Sequence, residues 1–455
     1  MPQELFDREE FRAEASALVA EMSAGRPRLR VPVRDQVEFQ TASLDQLLPP
    51  EHEARVVWWA VCQLDLGSWL GQIKAVEGHV GRDATMPQLL VALWVYATLR
   101  GVASARELER LCEAHLAYRW LCGGVSVNHH LLSDFRSQGG ERWDALLTQL
   151  VGSLMSEGLV TLDRVAQDGM KVRASAGKSS FRRKGTLQKC LEEARQQVET
   201  LRQLAEADPA ELGARQQAAR QRAAEERQAR LEAALKHVDQ VQAQREIQAQ
   251  RRNQPLQEAR ASTTDPEARV MQFADGGSRP GVNVQFTTDT ASGIIAGVDV
   301  TPAGNDQGQL APMLQQLQQR YGQTPRQALV DGGFASHDDI ERAAEEHHCQ
   351  VFSPLKNEKR ELAAGRDPYA PKHRDSQVIA QWRKRMGTKE AKEIYRLRPP
   401  TAEWVNAQAR NRNLWRMPVR GLAKCRIVAV LYALAHNLLQ AVALHATPAA
   451  YLMKS

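Results

Sequence analysis
With 455 residues, 43% of them apolar, the chain is too long for one ordinary core, and two or three domains are expected. Its net charge of +6 is a modest excess that points to nucleic acid or an anionic surface only where it is clustered. The six scattered cysteines include no Cys-x-x-Cys pair, which argues for reduced, buried thiols. No run of about 18 apolar residues is expected to span a membrane, and the opening MPQELFDREEFRAEAS has no apolar core of a signal peptide. A cytoplasmic protein without membrane contact is the expectation.

Residues 1–50 are polar and arginine-rich, an extended arm. From 51 to 160 the pattern is helical: VVWWAVCQLDLGSWLGQI and PQLLVALWVYATLRG are long enough for buried helices, the second ending at Gly101. Ser104 with Glu107 three residues on forms a capping box, after which Leu108, Leu111, Cys112 and Leu116 line one face. Gly123-Gly124 then makes a turn, and Asn128 caps a short helix through Leu131, Leu132 and Phe135. Two short helices about a glycine turn fit a helix-turn-helix or an ordinary bundle. His115, His129 and His130 have no metal-ligand spacing and read as surface or core histidines.

Residues 161–168, TLDRVAQD, read as a short strand ending on Asp168 and Gly169, where the carboxylate either reaches a cleft or turns the chain. KVRASAGKSSFRRK follows with six positive charges and no negative one, a phosphate-contacting segment or a solvated basic loop. Leu187, Leu191, Ala194, Val198 and Leu201 alternate by four and three, and a second helix runs through Leu231, Leu235 and Val238. With Asp208-Pro209 and Gly213 between them, residues 185–258 read as a helical hairpin inserted into a larger domain. From 262 the texture is β. VNVQFTT and GIIAGVDV are strands, GQLAPMLQQLQQRY a helix, ALVD a strand ending on Asp331, HDDIERAAEEHH a helix and CQVFSPL a strand. This order implies a mixed sheet with helices on its faces. Asp289 reads as a strand-end turn residue, Asp299 as a solvent-facing strand position, and Asp306 as a helix cap and the best candidate for an auxiliary acid. His347, His348 and Cys349 are a weak zinc signal for want of a fourth ligand.

From Arg396 to Arg426 the chain carries seven arginines and one lysine against a single acid, Glu403. A carboxylate alone in such charge is a salt-bridge partner or a metal ligand beside a polyanion. Tyr395 and Arg398 precede it, and Arg410 follows after six residues. This spacing resembles the Tyr–Arg–Glu–Lys signature around the third acidic residue of DDE transposases from bacterial insertion sequences. RGLAKCRIVAVLYALAHNL is similar to their closing helix, and SARELERLCEAHLAYRWLCGGVSVNHHLLSDFR to their N-terminal domain, a resemblance that implies engagement of transposon ends. TDPEARVM, PGVNVQ and ALVDGGF stand in the family's order. Two departures are visible: one extra residue lies between Arg398 and Glu403, and Arg410 stands where lysine is usual, which keeps the charge and adds a fork suited to phosphate.

The resemblance covers most of residues 85–440 and implies an α/β chain. A ribonuclease H-like, mixed-sheet catalytic domain at 161–445 is interrupted by the insertion at 185–258 and preceded by an all-α DNA-binding domain at 51–160. It implies that Asp168, Asp331 and Glu403 are the catalytic acids and hold Mg²⁺, with Mn²⁺ able to substitute. Two such ions about 4 Å apart activate the attacking oxygen and stabilise the leaving one. The reaction implied is strand hydrolysis at the transposon end, followed by attack of the freed 3′-hydroxyl on target DNA. Tyr395, Arg396, Arg398, Arg410, Arg412, Lys171 and Arg173 are expected to contact DNA as one positive face. A homo-oligomer acting on terminal inverted repeats and target DNA is the expected assembly. A structure-selective nuclease on the same fold and a non-enzymatic DNA-binding remnant are the alternatives.

Overall fold
The computed structural model describes Arg12 and residues 43–75, 83–207, 214–253, 255–334 and 336–446. The polar arm expected at 1–50 lies mostly outside these residues, as does the break from Asp208 to Gly213.

The first helices are α1 (Glu53–Cys62), α2 (Pro87–Leu99), α3 (Ala105–Ala114), α4 (Leu116–Cys122), α5 (His129–Gln138) and α6 (Gly140–Ser156). Helix α2 is apolar all round and buried nearly all round, with proline at its start where an N–H has no partner to lose. The capping signals form as the residues dictate. Ser104 accepts the Glu107 N–H at 3.4 Å, and Asn128 Oδ1 accepts that of Leu131 at 2.9 Å. Gly123 ends α4 with a φ of 56°, the left-handed value that a side chain would strain. His115 caps α4, and His129 pairs with Glu109, so the histidines serve the helices themselves.

Strand β1 (Arg164–Arg173) follows, then β2 (Phe181–Arg182), α7 (Lys184–Ala207), α8 (Ala214–Arg252), β3 (Ala261–Ser262), β4 (Arg269–Gln272), β5 (Ser278–Asp289) and β6 (Ile295–Thr301). The chain continues through α9 (Leu310–Tyr321), β7 (Gln327–Leu329), α10 (His337–Glu345), β8 (Gln350–Phe352), α11 (Gln377–Met386) and α12 (Lys389–Tyr395). A π-helical turn (Pro399–Glu403), α13 (Trp404–Asn411) and α14 (Leu422–Ala446) complete it. The main sheet has β5 antiparallel to both β1 and β6, while β1, β7 and β8 run parallel. Its order is β6-β5-β1-β7-β8, and β4 pairs the beginning of β5. The architecture is thus mixed α/β: a helical N-terminal region and a mixed sheet with helices.

One expected boundary is corrected. The first strand does not end at Asp168 but continues to Arg173, because β5 pairs with it from Val165 to Arg173. Asp168 therefore stands mid-strand, and the start of the basic segment that follows it, Lys171 to Arg173, is sheet rather than loop. The insertion is a pair of long helices, α7 and α8, packed through Leu187, Leu191, Ala194, Leu231, Ala234 and Val238 into a small core of their own. The short β2–β3 pair closes its base.

Helix α14 organises the rest. It lies against α2, α6 and β6. The Asn437 side chain, wholly buried, bonds both the N–H and the C=O of Ile295 at 2.8 Å. Contrary to expectation, Leu422–His445 is long and apolar enough to cross a membrane by composition, but 72% of that window is buried in the protein, as a core helix must be. The helical and sheet regions share one continuous core. Asp144 of α6 seals the seam, paired with Arg320 of α9 at 2.6 Å and with Arg426 of α14.

Candidate active site
Asp168 is positioned by the central strand, Asp331 by the loop two residues beyond β7, and Glu403 by the last residue of the π turn. Arg398 joins two of them. Its Nη2 lies 3.0 Å from Asp168 Oδ1 and its Nη1 2.9 Å from Glu403 Oε1. The guanidinium is 8% exposed, Asp168 15% and Glu403 59%, so the arginine is a buried counter-charge with one leg in solvent. Asn406, one turn beyond Glu403 and buried, donates to the other Asp168 oxygen at 2.9 Å across 238 residues of sequence. Asp331 accepts the Gly333 N–H at 2.7 Å and the Phe334 N–H at 3.3 Å through one oxygen.

Burial raises the Asp168 pKa to about 6. Arg398 opposes the rise, and the charges of Asp331 and Asp306 reinforce it. Tyr395, at the end of α12, is half-buried; burial pushes its phenol up, with the three acids adding to the shift and Arg398 opposing it.

The π turn explains the extra residue between Arg398 and Glu403. In an α-helix, five residues would carry Glu403 about 140° round the axis from Arg398. The Trp404 N–H instead reaches back to the Pro399 carbonyl, five residues away. That wider closure brings Glu403 over Arg398 again, and two adjacent prolines, lacking N–H donors, weaken the competing α pattern.

Asp306 is not a helix cap, since α9 begins at Leu310 after Gln309. Its carboxylate accepts from Asn283 at 2.8 Å and Gln285 at 2.6 Å, two buried amides on β5. It presses on the backbone of Gly169, where any Cβ would collide with it. Asp289 does turn the chain at the end of β5, accepting from Ser292. Asp299 is half-buried rather than open, 3.5 Å from Arg426.

The basic residues do not form the single face expected of them. Arg396 is exposed and paired with Glu393 at 2.6 Å. Arg412 is turned inward against Tyr432 and His436, because the end of α13 packs on α14. Arg398 is committed to the acids. Arg410 and Lys171 do share a cleft of about 590 Å³ with Gly169 and Asp306, and Arg173 lies further along the same strand, its guanidinium 5.7 Å from the Trp415 ring.

Residues 250–438 match a family model described as a transposase DDE domain, and residues 42–138 match one described as a transposase domain (DUF772). The chain belongs to the insertion-sequence DDE transposases. No curated protein and no solved structure matched it. The family's class is that of DNA-cleaving polynucleotidyl transferases, which act on DNA and generally use divalent metal ions. The DDE match holds Asp331 and Glu403 but begins beyond β1, so Asp168 rests on its strand pairing and its bond to Arg398.

The donors around the transposase cleft are carboxylate oxygens, without thiol or imidazole, which suits a hard ion such as Mg²⁺. Asp331 keeps Oδ2 and Glu403 keeps Oε2 outside the hydrogen bonds just described, and the buried Oδ1 of Asn406 beside Asp168 has no partner. Among the described residues no three acids, histidines or cysteines are already gathered about one ion position. Arg398 occupies the electrostatic centre instead. Sequence reasoning missed Asn406, an ordinary helical residue whose partner only folding supplies.

Proposed function
We propose that this transposase binds insertion-sequence ends and catalyses strand cleavage and strand transfer through Asp168, Asp331 and Glu403 on a ribonuclease H-like fold. The observation that carries the reading is Arg398 holding Asp168 and Glu403 together beside Asp331, at the centre of a β6-β5-β1-β7-β8 sheet. That order, antiparallel on one side of β1 and parallel on the other, supports the ribonuclease H-like assignment.

The three acids hold Mg²⁺, which supplies Lewis-acid stabilisation of the attacking and leaving oxygens when bound. The chain's own residues do the rest. Asn406 fixes the Asp168 carboxylate, and the Gly333 and Phe334 N–H groups fix that of Asp331. Arg398 keeps the acids from repelling one another before metal and DNA arrive. Lys171, Arg173 and Arg410 draw the phosphate backbone toward the acids, and Tyr395 closes the site on the α12 side. Helices α3 to α5 engage the terminal repeat, with the 51–160 region as the DNA-binding domain and 161–445 as the catalytic one. The working assembly is a cytoplasmic homo-oligomer on DNA.

The test is Asp331→Asn on a labelled transposon-end duplex. Binding should persist while Mg²⁺-dependent cleavage and joining fall by roughly a thousandfold, equivalent to about 4 kcal/mol of lost stabilisation. Undiminished cleavage would remove Asp331 from the chemistry, and wild-type cleavage without joining would make the protein a nuclease.

A further inference from the structure
Beyond the acids, β1 is extended by a segment far away in sequence that carries no strand pattern of its own. The Arg173 N–H donates to the Trp415 carbonyl at 3.0 Å, and the Met417 N–H to the Arg173 carbonyl at 2.8 Å. This bridge pairs Arg173 directly with Arg416. Both residues are exposed, and neither forms an ion pair among the described residues. Like charges held side by side on paired backbone destabilise a fold unless something opposite in charge meets them. Around them lies a cleft of about 720 Å³ whose other charged lining groups are Lys178, Arg279 and Arg420, all positive. Ser175, Thr264 and Ser278 add hydroxyls. Among the described residues, Arg279 is the one of the five cations that forms an ion pair, with Asp275. The half-exposed Trp415 ring lies under the Arg173 guanidinium and supports it.

We propose that this cleft is a phosphate-backbone seat for a DNA strand, built by Arg173 and Arg416 and completed by Lys178 and Arg420. The proposal rests on the transposase reading and names which surface carries the DNA beyond the acids. Guanidinium groups interleaved with hydroxyls match phosphate oxygens, and an all-positive lining suits a polyanion such as the DNA on which the transposase acts. Arg173 is five residues along β1 from Asp168, about 17 Å. Arg396, Arg398 and Arg412 are excluded from this track by their own partners.

The experiment is equilibrium binding of the full chain to a fluorescein-labelled duplex of arbitrary sequence, in EDTA, across a salt series. Each phosphate left without its cation should reduce the slope of log affinity against log salt by about 0.9, so Arg173→Gln/Arg416→Gln should lower it by about 1.8. Arg173→Lys/Arg416→Lys should restore the slope, because charge rather than shape sets it. Arg396→Gln should leave it unchanged. Circular dichroism melts of the variants, substituted at exposed positions, establish that each is folded. A folded glutamine double variant with the wild-type slope overturns the seat. A wild-type chain that binds no duplex at all overturns the transposase reading on which the seat depends, so the two failures are distinguishable.

Discussion

Replacing Arg398 with methionine preserves much of its length and removes its charge, and the cost can be worked from the two ion pairs. The Glu403 leg is 59% exposed and contributes at most about 1 kcal/mol, as solvent-screened pairs do. The Asp168 leg is different, with both partners largely buried. Removing one member of such a pair leaves a charge without compensation, a loss of about 3–5 kcal/mol while the other stays ionised. Asp168 can escape by taking a proton. Its folded pKa already stands at about 6, above the ordinary 3.8, so it favours the folded state at low pH and loses that contribution as pH rises through about 6. That rise is worth about 3 kcal/mol in the wild type, and the variant pushes the pKa higher still. The destabilisation by Arg398→Met should therefore be about 3 kcal/mol at pH 8 and below about 1 kcal/mol at pH 5, measured as urea midpoints. Mg²⁺ should recover part of the pH 8 loss, because an ion bound only by the folded protein stabilises it in proportion to its saturation. Equal losses at both pH values, or no loss at pH 8, would refute Arg398 as the counter-charge of Asp168.

Three further outcomes follow from the same geometry. Asn406→Leu should raise the Mg²⁺ concentration needed for half-maximal cleavage by about 10–100-fold, the usual effect of losing a group that orients a ligand, while duplex affinity stays constant; a change in affinity alone would contradict it. Gly169→Ala drives a Cβ into the Asp306 carboxylate and the Gln285 amide, and should cost about 1–3 kcal/mol of stability in a denaturant titration; a neutral result would show that the Asp306 loop is free to move. Cleavage should fall as pH drops through about 6, where Asp168 protonates, and the midpoint should move lower with added Mg²⁺ because metal and proton compete for one carboxylate; a midpoint indifferent to Mg²⁺ would separate Asp168 from the metal.

What is legible in the sequence is what local pattern can carry. Apolar alternation marks VNVQFTT and GIIAGVDV as strands, and the Ser104 and Asn128 caps mark helix starts, because those signals involve neighbours only a few residues apart. The end of β1 escapes such reading for the opposite reason. Gly169 looks like turn punctuation, but it stands in mid-strand because the Asp306 carboxylate presses on that backbone and leaves no room for a side chain. Arg412 belongs to a basic run in sequence, yet the packing of α13 on α14 turns it toward Tyr432. Arg396, with Glu393 three residues before it, is recognisable from spacing alone as a local ion pair.

The spacing between Arg398 and Glu403 shows how a sequence departure can be a structural statement. One additional residue in an α-helix would have turned Glu403 away from Arg398 and Asp168, and the motif would have been broken in space as well as in sequence. The π turn absorbs the residue by closing from Trp404 to Pro399, and Thr401 Oγ1 bonds the Leu397 carbonyl at 2.7 Å within the same turn. Arg398 and Glu403 consequently meet at 2.9 Å despite their five-residue separation. A π turn is less favourable than the α pattern it replaces, so it persists only where something offsets its strain. Here the double ion pair of Arg398 and the Asn406–Asp168 bond one turn later both depend on it, which makes the turn part of the acid cluster rather than an irregularity beside it.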